Sequence, residues 1–216
     1  MTTTRGIENP MMKIHEARMA PNPRRVRMFM AEKGLLDQAE FIELDLQKGD
    51  NLTPEFKALN PMKKVPVLEL EDGSTICETM AICRYFEEQY PDTTPLLGRD
   101  ALEKARVEQW LRWIEFYFFL PTGMCFQHTS GYFKDRMTPV PEWGEQCREG
   151  AKKFFHFLNQ HLEGRDYIVG DSLTAADINA LTTIDFNKVI RQGIEPEQTH
   201  LKAWYDRISQ RESARA

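Results

Sequence analysis

The chain has 216 residues, 41% hydrophobic and 28% charged, with a net charge of −5. That balance describes a water-exposed globular chain, long enough for one or two domains. The acidic excess argues against a broad nucleic-acid surface, although Arg24, Arg25 and Arg27 form a local basic cluster. No apolar run approaches the about 18 residues that a membrane-spanning helix needs, and the opening MTTTRGIENP has no apolar signal core, so a cytoplasmic protein is expected. Cys77, Cys83, Cys125 and Cys147 make no Cys-x-x-Cys pair, and no disulfide framework is expected. His156 and His161 fall on different helix faces and suggest no metal site.

Lys13 to Glu16 reads as a short first strand. Met19-Ala20-Pro21-Asn22-Pro23 is a loop running into a helix, with Asn22 as cap and Pro23 in the first turn. Val26, Phe29 and Met30 mark that helix's buried face, and Gly34 its end. Ile42, Leu44 and Leu46 alternate with Glu43 and Asp45, the pattern of a half-buried strand. Thr53-Pro54 opens a short helix reaching Leu59. Val65 to Leu70 and Thr75 to Cys77 form an antiparallel hairpin across Glu71-Asp72-Gly73-Ser74, where Gly73 takes positive φ without steric cost. Pro66 has no N–H for a ladder, so it belongs at an edge, a strand start or a bulge. On an edge it would make a rail for an extended peptide. A helix then opens at Glu78-Thr79, carries Ala81, Ile82, Tyr85 and Phe86 at helical spacing, and stops before Pro91. Its N-terminal N–H groups and positive dipole end suit a carboxylate.

Residues 91–98, PDTTPLLG, read as a connector between a domain over 13–90 and another over 99–210. The helix from Ala101 carries Val107, Trp110, Ile114 and Tyr117 on one face, and Trp113, Phe116 and Leu120 on another. A helix apolar on two faces is covered on two sides, by its own bundle and by another domain, a partner subunit or a ligand. Gly123 to Pro141 reads as irregular. Ala151, Phe154, Phe155, Leu158 and Leu162 mark a clear helix, and Tyr167-Ile168-Val169 is the one strand-like triplet of this half. Thr174 and Asp177 form a capping box, with Leu173 and Ile178 placed as a hydrophobic staple. Leu201, Trp204 and Ile208 mark a last helix.

Asn60-Pro61, Lys64-Val65-Pro66-Val67-Leu68, Asp72-Gly73, Glu78-Thr79 and Ala81-Ile82, with the box at Thr174 downstream, resemble the cytosolic glutathione transferases. The resemblance covers nearly the whole chain from about Lys13. It implies an α/β then all-α fold: a thioredoxin-like N-terminal domain followed by a C-terminal helical bundle. It also implies glutathione as co-substrate, no metal, a two-fold homodimer and a role in detoxification. Carried onto this chain, Glu78 and Thr79 would hold the γ-glutamyl end. Val65, ahead of a cis bond to Pro66, would pair through its backbone with the cysteinyl part. Lys64 and Asn51 would meet the glycyl carboxylate, while Lys63 and Lys64 each also read as solvated surface lysines.

The family's task is to make the glutathione thiol a thiolate, since a free thiol has a pKa near about 8.5. Most members place a Tyr, Ser or Cys donor in the loop after the first strand. That position falls on Ala20 here; the loop has no Cys, and the first tyrosine of the chain is Tyr85. Asn22, with two amide donors, is the candidate replacement, and the Ala-Pro-Asn-Pro loop resembles a bacterial type of the family. Helix capping alone also explains an Asn before Pro. The second substrate, a small apolar electrophile, would lie between the domains against Met19, Trp113, Phe116 and Tyr117, residues that equally suit a core or a dimer contact. Three activities stay open: conjugation to an electrophile, disulfide reduction by bound glutathione at the same site, and a non-catalytic binding or scaffold role.

Overall fold

The computed structural model describes residues 11–216, and the chain divides into two compact units after Thr93. The opening MTTTRGIENP lies outside the described residues.

The first unit is a four-stranded mixed sheet with helices: β1 (Met12–Glu16), α1 (Pro21–Glu32), β2 (Ala39–Glu43), α2 (Pro54–Leu59), β3 (Val67–Glu69), β4 (Thr75–Cys77) and α3 (Thr79–Gln89). The strand order is β2-β1-β3-β4. β1 and β2 are parallel, joined through α1, whereas β3 is antiparallel to both β1 and β4. Ile14, Val26, Phe29, Leu68, Ile82 and Phe86 are buried in its core. This is the thioredoxin-like arrangement expected from the sequence.

Three local expectations change. α1 begins at Pro21 with Ala20 at the N-cap and no side-chain cap, so Asn22 lies inside the first turn and does not cap the helix. Two prolines are tolerated there because first-turn N–H groups need no helical acceptor. β2 runs from Ala39 to Glu43, earlier than the Ile42–Leu46 alternation suggests. It stops because the Asp45 carboxylate gathers the N–H groups of Gln47 (3.0 Å) and Lys48 (3.1 Å), which turns the chain. Finally, β3 is internal to the sheet, so Pro66 occupies a strand start and not an edge.

The second unit contains α4 (Ala101–Ile114), α5 (Leu120–Thr129), α6 (Pro141–His161), α7 (Ala175–Asn187) and α8 (Thr199–Ser209). Leu96 and Leu97 of the predicted connector are buried, and the Leu96 carbonyl accepts the Ala175 N–H at 2.8 Å. α4 and α5 are joined by a π-helical turn over Glu115–Phe119. Such a turn adds a residue to the helical repeat. Across this turn the buried stripe Val107-Trp110-Ile114 continues through Phe118, at 0% exposure, and Tyr117 turns outward at 61%. α5 occupies the start of the stretch expected to be irregular. Pro121 sits in its first turn, and the Thr122 hydroxyl donates to the Phe118 carbonyl at 2.8 Å. Tyr167-Ile168-Val169 forms no strand; Ile168 and Val169 are buried.

The box at Thr174 is present, and it is more than a cap. Asp177 is wholly buried and accepts from the Ile168 N–H (2.9 Å), the Thr174 N–H (2.9 Å), the Thr174 hydroxyl (3.1 Å) and the Trp204 indole N–H (3.0 Å). Burial pushes its carboxyl above the usual aspartate range, and those donors pull it back.

Candidate functional site

The sheet register brings three separate segments to one end of the first unit. His15 of β1 lies opposite Val67 of β3, and Val67 lies opposite Cys77 of β4. Both pairings are antiparallel, so the C-terminal end of β1, the start of β3 and the end of β4 meet. The loop after β1, the Lys63–Pro66 segment and the Glu78-Thr79 helix start all leave from there. β2 runs parallel to β1, with Glu43 opposite Glu16, so the turn carrying Asn51 departs from the same end.

The loop after β1 is tightly held. Both carboxylate oxygens of Glu43 accept the Arg18 N–H at 3.1 Å. Arg27 donates one guanidinium arm to the Arg18 carbonyl at 2.7 Å and the other to the carboxylate of Glu16, a buried ion pair. Burial pushes the Glu16 carboxyl up, and the Arg27 guanidinium opposes it. Beyond this anchor, Ala20 has no side-chain donor. Asn22 follows, its carbonyl oxygen accepting from Arg25 at 3.2 Å, which leaves its NH2 as the end with donors to offer. Met19 is 95% exposed.

The Val65–Pro66 bond is cis, as expected. Val65 is half-buried at the strand's approach, and Lys64 is exposed. The Asn51 amide donates to the Lys63 carbonyl at 2.8 Å, so it is engaged by the backbone of this segment.

Glu78 adopts φ 72° and ψ 125°, outside the allowed region for most L-residues, and makes no side-chain cap. Strain of this kind persists where the surroundings over-determine it. Thr79, the first residue of α3, is 8% exposed. The first helical hydrogen bond, Ile82 N–H to the Glu78 carbonyl at 3.0 Å, leaves the earlier N–H groups of the turn outside the helical ladder.

Trp113, Phe116 and Tyr117 come together on the second unit. With Lys153, Phe154 and Phe157 they line a cavity of about 480 Å³. Met19 belongs to the first unit and the other three to the second.

All four cysteines are free. Burial pushes each thiol up: Cys77 with help from Glu78, Cys83 most strongly, then Cys125 and Cys147. Arg25 beside Cys83 and Arg148 beside Cys125 oppose burial without overcoming it, so none is set up as a nucleophilic thiolate. Among the described residues no group of three or more His, Cys, Asp or Glu side chains is placed to hold a metal ion.

Sequence reasoning missed Asn60, Glu43 and the Glu16–Arg27 pair. In the sequence Asn60 stands only as one letter of a motif. Its amide donates to the Lys64 carbonyl at 2.8 Å, and its oxygen accepts the Met62 N–H at 2.9 Å. An Asn before Pro in a polar turn is the signal that could have found it. The charges on β1, β2 and α1 carry no signal of their own, because their pairing depends on strand register.

A thioredoxin-like sheet domain followed by a helical domain defines a glutathione transferase fold. The family model described as "Glutathione S-transferase, N-terminal domain" matches residues 20–89, and "Glutathione S-transferase, C-terminal domain" matches residues 129–212. The chain is 35% identical over 207 residues to Glutathione S-transferase 2 of Saccharomyces cerevisiae, covering 94% of this chain and 88% of that one. It resembles the crystal structure of Gtt2 from Saccharomyces cerevisiae with a TM-score of 0.88 and 34% identity, over 94% of this chain and 98% of that one. A glutathione S-transferase domain-containing protein of Marinobacter aquaeolei aligns with a TM-score of 0.87 and 34% identity, over 93% and 98%. The chain belongs to the glutathione S-transferase family.

Proposed function

We propose that this protein is a glutathione transferase that adds the glutathione thiolate to a small apolar electrophile. In this reading residues 13–90 form the glutathione-binding domain and residues 99–210 the all-helical domain. Thr79 and Glu78 hold the γ-glutamyl end, Val65 and Pro66 present backbone to the cysteinyl part, and Lys64 meets the glycyl carboxylate, with Asn51 behind it. Asn22 donates to the sulfur. The thiol gives its proton to solvent, the sulfur lone pair forms the new C–S bond, and the electrophile's leaving group departs.

The observation that carries this reading is the convergence of the Asn22 loop, the Lys63–Pro66 segment and the Glu78-Thr79 helix start at one end of the sheet. Backbone donors, a helix N-terminus and lysines there offer what a small peptide with two carboxylates needs. The apolar electrophile is assigned to the aromatics Trp113, Phe116 and Tyr117 of the second unit, which line an apolar cavity of about 480 Å³, the size of a small-molecule site. The exposed Phe116 and Tyr117 support a homodimer. Four free cysteines fit a reducing, cytoplasmic setting, and the Ala-Pro-Asn-Pro loop supports the bacterial type.

Calorimetric titration with reduced glutathione, followed by turnover with an aromatic halide, tests the proposal. Saturable binding and conjugate formation support it; absence of binding overturns it and favours a scaffold role. A second reading is disulfide reduction. With every protein thiol pushed up, bound glutathione itself would attack a small disulfide, forming a mixed disulfide and releasing one thiol. Tighter binding of oxidised glutathione, with turnover of hydroxyethyl disulfide exceeding that of the halide, would favour it.

A further inference from the structure

The segment leading into β3 is gripped by two side-chain amides. Asn60 is 2% exposed. It accepts the Met62 N–H at 2.9 Å, donates to the Lys64 carbonyl at 2.8 Å, and through its own carbonyl accepts the Lys63 N–H at 2.9 Å. Asn51 donates to the Lys63 carbonyl at 2.8 Å. Lys63 is held at φ 55°, a conformation that side chains of L-residues avoid.

These contacts sort the polar groups of two consecutive residues. The carbonyl oxygens of Lys63 and Lys64, which would repel an approaching anion, are both bound to protein amides. The two lysine ammonium groups form no ion pair among the described residues. An anion arriving at this segment meets the two cations with their own carbonyls already engaged. A buried backbone carbonyl left without a donor would turn toward solvent or ligand, because leaving it unpaired is costly.

We infer that Asn51 and Asn60 are positioning residues for the anionic glycyl end of glutathione. They act through the backbone of Lys63 and Lys64, whose ammonium groups make the contact. The inference rests on the glutathione reading above. It assigns Asn51 a role behind the ligand contact and brings in Asn60, to which its place in the motif gives no task.

Glutathione and γ-glutamylcysteine, which lacks the glycine, separate this role from general support of the fold. Binding of each is measured by calorimetry for the wild-type protein, N51A and N60A, with thermal melts alongside. N51A removes one donor together with an amide oxygen that is itself buried without a partner, so the variant stays folded; it decides the question if N60A does not fold. Loss of one hydrogen bond in the support predicts about tenfold weaker glutathione binding. Binding of γ-glutamylcysteine, and kcat at saturating glutathione, stay within about twofold of wild type. K64Q, which weakens glutathione binding in the wild type, adds less in N51A because the two act on one contact. Equal loss for both ligands, or no loss for either, overturns the inference while leaving the glutathione site in place. Failure of the wild-type protein to bind glutathione is a different result, which overturns the proposed function itself.

Discussion

Replacing Asn22 by alanine separates sulfur activation from helix support. Ala20 is the N-cap of α1, so the substitution removes no cap. It breaks the 3.2 Å hydrogen bond from the charged Arg25 guanidinium, worth about 1.5–3 kcal/mol. Alanine returns up to about 0.7 kcal/mol through its better helix propensity. The net loss of stability is therefore about 1–2 kcal/mol, several degrees in Tm. If the Asn22 amide donates to a sulfur anion, that charged hydrogen bond is worth about 1.5–3 kcal/mol. Removing it lowers turnover by about 10- to 150-fold. Two assays read this out: conjugation of an aromatic halide at saturating glutathione, and titration of the bound thiol by its thiolate absorbance. The midpoint of that titration moves up by about one to two pH units. Turnover and thiol titration both unchanged in a folded variant would refute the role of Asn22. So would a loss of activity that only tracks a loss of Tm.

Asp177→Ala strips the acceptor from four buried donors, and at about 1–3 kcal/mol for each donor left unpaired it lowers stability by at least about 4 kcal/mol; urea unfolding and soluble yield check this. His161 is held below its ordinary pKa of 6.5, first by burial and also by Arg165, with its hydrogen bond to the Ile168 carbonyl opposing. The unfolded chain therefore binds the proton more readily, so the stability His161 contributes is complete above pH 6.5 and falls as the pH drops toward the folded value. Wild-type protein loses more denaturant resistance than H161Q does when moved from above pH 6.5 to below it. Gly98→Ala is also costly. Gly98 has φ +104°, and an added Cβ would lie 2.5 Å from the Lys104 backbone nitrogen. A loss of about 2–4 kcal/mol is expected, read as a drop in Tm.

Much of the fold is legible in both units where its signals are local. Gly73 fixes the hairpin turn, Thr53 caps α2 through its hydroxyl at 3.2 Å from the Phe56 N–H, and Thr174 with Asp177 writes its own capping box. The errors arise where a distant partner or a one-residue step decides. β2 ends where the Asp45 turn takes over, although Leu44 and Leu46 keep alternating. Tyr117 leaves the buried stripe because Phe118, four residues after Ile114, takes the place that an i+3 step gives to Tyr117. Of the candidate site, the motif residues Val65, Pro66, Glu78 and Thr79 are readable from order alone. The groups that hold the surrounding backbone are not. Glu43 reaches Arg18, Arg27 reaches Glu16 and Asn51 reaches Lys63 across strands or turns whose register the sequence does not state.

The buried Asp177 also sets an order of events during synthesis. Its four partners come from residues 168, 174 and 204, and the last belongs to α8. While the chain is still growing, a helical unit that has emerged only through α7 buries a carboxylate lacking its indole donor. It gains its full set of bonds only when Trp204 arrives. The first unit closes much earlier, since its sheet is complete at Cys77 and its last helix at Gln89. Until Trp204 has left the ribosome, the nascent chain thus carries a finished sheet unit and an unfinished helical one, whose apolar stripes are the part for a chaperone to shield.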